Sequence, residues 1–137
     1  MALATKRTKV GAEVPQVSKQ MTLDKMRLYS GWPEDKNIHT DYEVAKRAKL
    51  KGPIAQGLMS AGYIQEMLTK FLGEDWIKGG KLSVSFINVV YPGDTVTAKG
   101  VVKERVREGS RVRLVLDVWC ENQHGVKVTV GTASGLV

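Results

Sequence analysis

Ala55-Gln56-Gly57-Leu58-Met59-Ser60-Ala61-Gly62-Tyr63-Ile64-Gln65-Glu66-Met67-Leu68-Thr69-Lys70-Phe71-Leu72 carries apolar residues around most of a helix's circumference. Its polar residues, Gln65, Glu66, Thr69 and Lys70, gather toward the C-terminal half, and Gly73 ends it. A helix patterned this way is buried on several sides rather than laid on a surface. Gly57 and Gly62 each lower helix propensity by about 1 kcal/mol, so packing or close backbone approach has to compensate. The helix needs something that surrounds it.

The residues downstream supply a sheet. Val96, Ala98, Gly100, Val102 and Val106 alternate with Thr97, Lys99, Lys103, Arg105 and Arg107, and Val112, Leu114, Leu116, Val118 and Cys120 repeat the pattern against Arg111, Arg113, Asp117 and Glu121. Period-two alternation of this kind belongs to half-buried antiparallel strands. Pro92-Gly93-Asp94, Glu108-Gly109-Ser110 and Asn122-Gln123-His124-Gly125 supply the turns. The expectation is a four-stranded meander over about residues 81–91, 95–107, 110–121 and 126–137, curled around the long helix. Cys120 falls among the inward residues as inert core, and His124 belongs to a solvated turn.

Upstream, Thr22 is placed to cap a helix from Leu23 to Ser30, with Gly31 as its stop. Thr40-Asp41-Tyr42-Glu43 matches a capping box opening a helix to about Leu50, which Gly52 and Pro53 close. Lys46, Arg47, Lys49 and Lys51 suit a helix C-terminus in water, with a second reading as a clamp for phosphates. Between the two helices lies Trp32-Pro33-Glu34-Asp35-Lys36-Asn37-Ile38-His39, which holds one of the chain's two histidines. A carboxylate and an imidazole on one short loop can share a proton or hold one water between them. Asp35 and Asn37 also suit plain turn positions, and His39 a backbone-bonded position ahead of the helix.

The 137 residues fit one domain, read as a basic N-terminal arm over 1–13 and a single domain over 14–137. No segment approaches the ~20 apolar residues of a membrane span, and residues 1–10 carry Lys6, Arg7 and Lys9 without the apolar core of a signal peptide. A single cysteine forms no internal disulfide, so a cytoplasmic location is the expectation. The net charge of +7 favours anionic partners. Zinc-finger spacing, RNA-binding aromatic signatures and basic stripes interleaved with aromatics are all missing, which counts against nucleic acid; a small phosphorylated ligand fits the charge equally well, and net charge does not decide between them.

The order of these features carries a resemblance: Asp35-x-Asn37-x-His39, a short helix, Gly52-Pro53-Ile54-Ala55-Gln56-Gly57 opening a long helix, then Tyr91-Pro92-Gly93-Asp94 and Asn122-Gln123-x-Gly125 among strands. The chain resembles the MaoC-like (R)-specific enoyl-CoA hydratases over about residues 14–137. The resemblance implies an α+β hotdog fold, a curled antiparallel sheet wrapped around a long central α-helix. It implies a catalytic pair at Asp35 and His39, a backbone oxyanion donor at Gly57, and substrate contacts at Asn37, Trp32 and Gln56. This chain lacks the family's proline after the asparagine, having Ile38 there, which shortens the Asp-to-His separation by one residue. Glu34 stands at the usual distance and is the alternative carboxylate. Gln56 occupies a position where many relatives have histidine.

What the resemblance implies for chemistry is a hydro-lyase acting at the double bond of a 2-enoyl thioester. Coenzyme A enters only as part of the substrate, with no separate cofactor and no metal; the lone His39 offers no ligand cluster. It also implies a homodimer, or a higher assembly of dimers, with sheets joined edge to edge. Two other classes stay open. A hotdog thioesterase would use a carboxylate on the long helix, for which Glu66 is the candidate, and a non-catalytic thioester-binding subunit would use no acid–base pair.

Overall fold

The computed structural model describes residues 2–137. Five strands and four helices follow in the order β1 (Glu13–Gln20), α1 (Leu23–Ser30), α2 (Tyr42–Arg47), α3 (Gly57–Leu72), α4 (Glu74–Gly79), β2 (Lys81–Phe86), β3 (Thr95–Glu108), β4 (Arg111–Glu121) and β5 (Lys127–Leu136). The strands form one antiparallel sheet in the order β1-β3-β4-β5-β2. Its inner face wraps α3, giving the α+β hotdog arrangement that the resemblance implies.

The long helix behaves as its pattern requires. Met59, Ile64, Met67, Leu68, Phe71 and Leu72 are buried in one core with Val96, Ala98, Val102, Leu114, Leu116, Val118, Cys120 and Ala133. Burying a side chain of the size of Leu or Ile contributes about 1.5–3 kcal/mol, so this interface dominates the core. The helix begins at Gly57, two residues later than its apolar pattern: Gln56 is extended, at φ −65° and ψ 135°, and Ala55 N–H donates to the Val90 carbonyl at 2.8 Å. The extra helix α4 was not anticipated. It follows Gly73 directly and buries only Trp76, a six-residue span with too little periodicity to register.

The sheet differs from the expected meander in three respects. β3, β4 and β5 are consecutive neighbours, but β2 pairs with β5, so β2 and β1 are the two edges. β2 also stops at Phe86 rather than continuing to residue 91. The fifth strand, β1, buries only Val14 and Val17 and contains Pro15, and its register against β3 shifts between those two valines. Pro removes a ladder donor and is tolerated at edges and bulges, which is where β1 sits.

A second irregularity lies in β3 between Val102 and Glu104. Beyond it Arg105 stands opposite the buried Leu114, and Val106 stands opposite Arg113 and is exposed. The bulge therefore exchanges the faces of the last residues: Val106, expected inward, points outward, and Arg105 and Arg107 take the inner face. The basic N-terminal arm expected over 1–13 is docked at Leu3 and Ala4, with Met1 outside the described residues. Leu3 and Ala4 both donate to the Phe71 carbonyl, at 3.0 and 2.8 Å, Ala4 is buried, and Glu13 already belongs to β1.

Candidate active site

α1 starts as expected, with the Thr22 hydroxyl accepting from Lys25 N–H at 3.1 Å, and it stops at Gly31, whose φ of 80° favours glycine. The chain then turns through residues 32–41 into α2. Asp41, not Thr40, caps α2, its carboxylate accepting from Val44 N–H at 3.0 Å. The helix ends at Arg47, three residues short of Leu50, with Lys49 in the left-handed region at φ 64°.

Thr40 is free for another task. It is wholly buried, and its hydroxyl accepts from Asn37 N–H at 2.9 Å and donates to the Asp35 carbonyl at 3.0 Å. Arg27 Nε donates to the Thr40 carbonyl at 3.0 Å and its guanidinium stacks 4.1 Å over the Trp32 ring. Asn37 completes the loop. Its Nδ2 donates to Asp35 Oδ2 at 2.9 Å, and its Oδ1 accepts from His39 N–H at 2.8 Å. Asp35, Asn37 and His39 are thus one hydrogen-bonded unit, with the amide linking carboxylate to histidine backbone.

The imidazole faces the opposite direction, toward the entry of α3. His39 Nδ1 lies 2.8 Å from the Ile54 carbonyl, and Ile54 N–H donates back to the Ile38 carbonyl at 3.0 Å. A carbonyl only accepts, so Nδ1 carries the proton and Nε2 is the basic nitrogen of the neutral ring. The same segment meets β2: an ideal Cβ on Gly57 would sit 2.7 Å from the Phe86 ring. His39, Ile54, Ala55, Gly57, Phe86 and Asn88, with Ile87 and Val89, line one cleft of about 280 Å³.

At the mouth of α3 the Gln56 side chain does not cap the helix but donates from Nε2 to Ser30 Oγ at 2.7 Å. Among the described residues the N–H groups of Gly57 and Leu58 have no acceptor. They point out of a sixteen-residue helix whose dipole places positive potential there. The cleft therefore combines a basic imidazole nitrogen with an open amide end, a pairing suited to moving a proton beside an oxygen that gains charge.

The structure brings His39 and Gly57 to one cleft. Asp35 joins them only through Asn37; it is exposed, no hydrogen bond connects it to the imidazole, and neither it, Trp32, Asn37 nor Gln56 lines the cleft. Glu34 is exposed beside it. Trp32 has the Arg27 guanidinium over its ring and the Lys36 ammonium 5.8 Å from its centroid. Glu66 lies away from this cleft and pairs with Lys19 at 3.2 Å and Lys70 at 3.9 Å. Sequence reasoning missed Ile54, Phe86, Asn88 and Thr40. Only Thr40 left a trace, as a threonine one step too early for the cap.

Comparison with known proteins agrees with this architecture. The model of the MaoC like domain matches residues 5–127. The uncharacterized protein YdeM of Bacillus subtilis (strain 168) is 26% identical over 132 residues, covering 93% of this chain and 94% of its own. The crystal structure of a MaoC-like dehydratase from Rhodospirillum rubrum superposes with a TM-score of 0.78 at 22% identity, over 95% of this chain and 92% of that one. The (R)-hydratase from A. caviae involved in PHA biosynthesis gives a TM-score of 0.76 at 25% identity, over 95% and 97% of the two chains. With the family model matched along most of its length, the chain belongs to the MaoC-like domain family.

Proposed function

We propose that the protein is a hydro-lyase that adds water to, or removes it from, the double bond of a 2-enoyl thioester, with coenzyme A or a carrier as the thiol. The observation that carries this reading is the shared cleft of His39 and Gly57, with the imidazole proton fixed on Nδ1 by Ile54. In the hydration direction His39 Nε2 takes a proton from a water as its oxygen bonds to Cβ. Electron density moves through Cα onto the thioester oxygen, which the Gly57 N–H stabilises. The protonated His39 Nε2 then gives its proton to Cα, the thioester carbonyl re-forms, and the neutral imidazole is restored.

Asp35 is the carboxylate of the pair in this proposal. One of its oxygens is committed to Asn37, which leaves the other for the water. Asn37 positions both acid–base groups, and Gln56 holds the α1 end against the start of α3. Glu34 is the rival carboxylate.

Assembly belongs to the same proposal. The edge strand β2 ends in Phe86, followed by Ile87, each half exposed, next to the exposed Val89 and Leu58 beside the cleft. A second copy pairing along this edge would cover apolar surface that otherwise invites uncontrolled association. A homodimer, or an assembly of dimers, follows.

The test is an assay of short 2-enoyl-CoA substrates that follows two signals, loss of enoyl thioester absorbance and release of free thiol. Absorbance loss without thiol is the expected result. Rapid thiol release with no hydration at any chain length would transfer the protein to the thioesterases.

A further inference from the structure

A larger cleft, about 420 Å³, lies at the other end of the sheet and is lined by Lys6, Arg105, Arg107, Ser110, Arg111 and Val112. Along β4 it is eight residues from the end that flanks the His39 cleft (Val112 to Cys120), roughly 25 Å at about 3.3 Å per residue. No carboxylate lines it. Asp75 pairs with Arg111 at 2.8 Å, and Glu108 is engaged by Arg113 at 2.7 Å. Among the described residues Lys6, Arg105 and Arg107 therefore have no carboxylate partner.

This concentration of charge is built. The bulge after Val102 puts Arg105 and Arg107 on the inner face, opposite Leu114 and Val112, where alternation alone would have sent them outward. Lys6 is held opposite them in a turn: Thr8 Oγ1 accepts from Thr5 N–H at 2.9 Å and Thr5 Oγ1 accepts from Arg7 N–H at 3.1 Å. The Arg105 guanidinium donates to the Lys6 carbonyl, joining the two walls. On the far side of the turn, Gly11 N–H donates to the Val102 carbonyl at 2.7 Å. Three like charges gathered on a docked segment and a bulged strand repel one another, and an anion relieves that cost.

We propose that this cleft binds the polyphosphate group of a small molecule. Guanidinium forks match phosphate oxygens in pairs, and a compact anion reaches both arginines and Lys6 together. No aromatic side chain lines the cleft, so it has no stacking platform for the bases of single-stranded nucleic acid. Its volume lies within the range of small-molecule sites. The proposal stands independently of the chemistry assigned to His39. The phosphates belong either to a free polyphosphate or to the coenzyme part of a thioester.

The experiment is calorimetric titration of the full chain with pyrophosphate at low ionic strength, with sulfate at matched ionic strength as reference. Wild type should bind pyrophosphate at least ~10-fold more tightly than sulfate, and Arg105→Gln/Arg107→Gln should lose at least ~10-fold of that affinity. Lys6→Gln and Arg107→Gln, both at exposed positions, should each lose ~3-fold or more, which keeps the test valid if the double variant unfolds. Lys25→Gln on α1, an exposed position away from the cleft, should bind as wild type does. Coenzyme A competing with pyrophosphate would assign the phosphates to the coenzyme, and binding of pyrophosphate without competition would assign them to a free polyphosphate. Wild type that fails to distinguish pyrophosphate from sulfate, or variants that bind as well as wild type, would overturn the proposal.

Discussion

His39 and Ile54 hold each other's segments in place: the imidazole Nδ1 bonds the Ile54 carbonyl at 2.8 Å while Ile54 N–H bonds the Ile38 carbonyl at 3.0 Å. Ile54 lies three residues before Gly57, so the base and the amide end of α3 share one rigid connection. Orientation of this kind lets a proton donor and an oxyanion donor act on one bound molecule without rearrangement.

Removing either member of the acid–base pair should reduce turnover by at least ~100-fold, the usual scale for a positioned acid or base. His39→Ala and Asp35→Asn are the variants, and both should melt close to wild type because both residues lie outside the core. Full activity in Asp35→Asn together with an inactive Glu34→Gln would reassign the carboxylate to Glu34.

Gly57→Val keeps the backbone N–H but sets a branched side chain in the path of the thioester oxygen, and should cut turnover by ~100- to 1,000-fold, the scale of an oxyanion contact, while leaving a folded protein. The first added carbon already meets the Phe86 ring at 2.7 Å, so displacement of that ring contributes to the loss. Phe86→Ala in the Gly57→Ala background separates the two: activity should return partly if the ring was displaced into the cleft. Wild-type turnover in Gly57→Val would exclude the amide from the mechanism.

Thr40→Val keeps the shape of a buried side chain and removes its hydroxyl, leaving the Asn37 N–H and the Asp35 carbonyl without that partner. A loss of about 1–3 kcal/mol in urea denaturation is expected, since buried groups left unsatisfied cost that much. The loop that carries Asp35 and His39 should loosen with it, lowering turnover beyond the stability effect. An unchanged denaturation midpoint would show that the hydroxyl is dispensable.

Burial pushes the Cys120 thiol up to about 12. A raised pKa in the folded state means that burial favours the thiol form. Its stabilising contribution is complete below the unfolded value near 8.5 and is lost as pH rises toward about 12. Stability should fall between those limits by up to ~1.4 kcal/mol per pH unit. At pH 8 the native protein should resist thiol reagents until denaturant opens the core. Fast native labelling would contradict the position of Cys120.

Sedimentation at micromolar concentration should show a dimer or a multiple of one, and Ile87→Lys on the β2 side should shift it toward monomer. A stable wild-type monomer would defeat the assembly proposal.

Much of the fold is legible locally. The continuous apolar surface of Ile64, Met67, Leu68 and Phe71 identifies a buried helix, and the alternation from Val112 to Cys120 identifies a strand, because both are properties of a short window. β1 is hidden because Pro15 and a bulge interrupt the period of two. The inversion of Val106 depends on a bulge that β4 imposes, and the pairing of β2 with β5 joins residues about 50 positions apart, such as Lys81 and Ser134. At α2 both Thr40 and Asp41 are competent caps, and the Asp35–Asn37 turn claims the threonine. The site divides the same way. Asp35, Asn37, His39 and Gly57 are visible from motif order, whereas Ile54 and Phe86 meet them only through tertiary packing.

The position of α3 has a consequence for synthesis. This helix is apolar on nearly every side, yet of the strands that cover it only β1 precedes it, and the rest are complete only at Leu136. A ribosome adding about 5–20 residues per second exposes the helix for several seconds before its wrapping exists. During that interval Met67, Leu68 and Phe71 lack most of the sheet that buries them in the finished fold. The fold closes only when β5 arrives to join β4 and β2, so the last strand made is the one that completes the sheet around the helix.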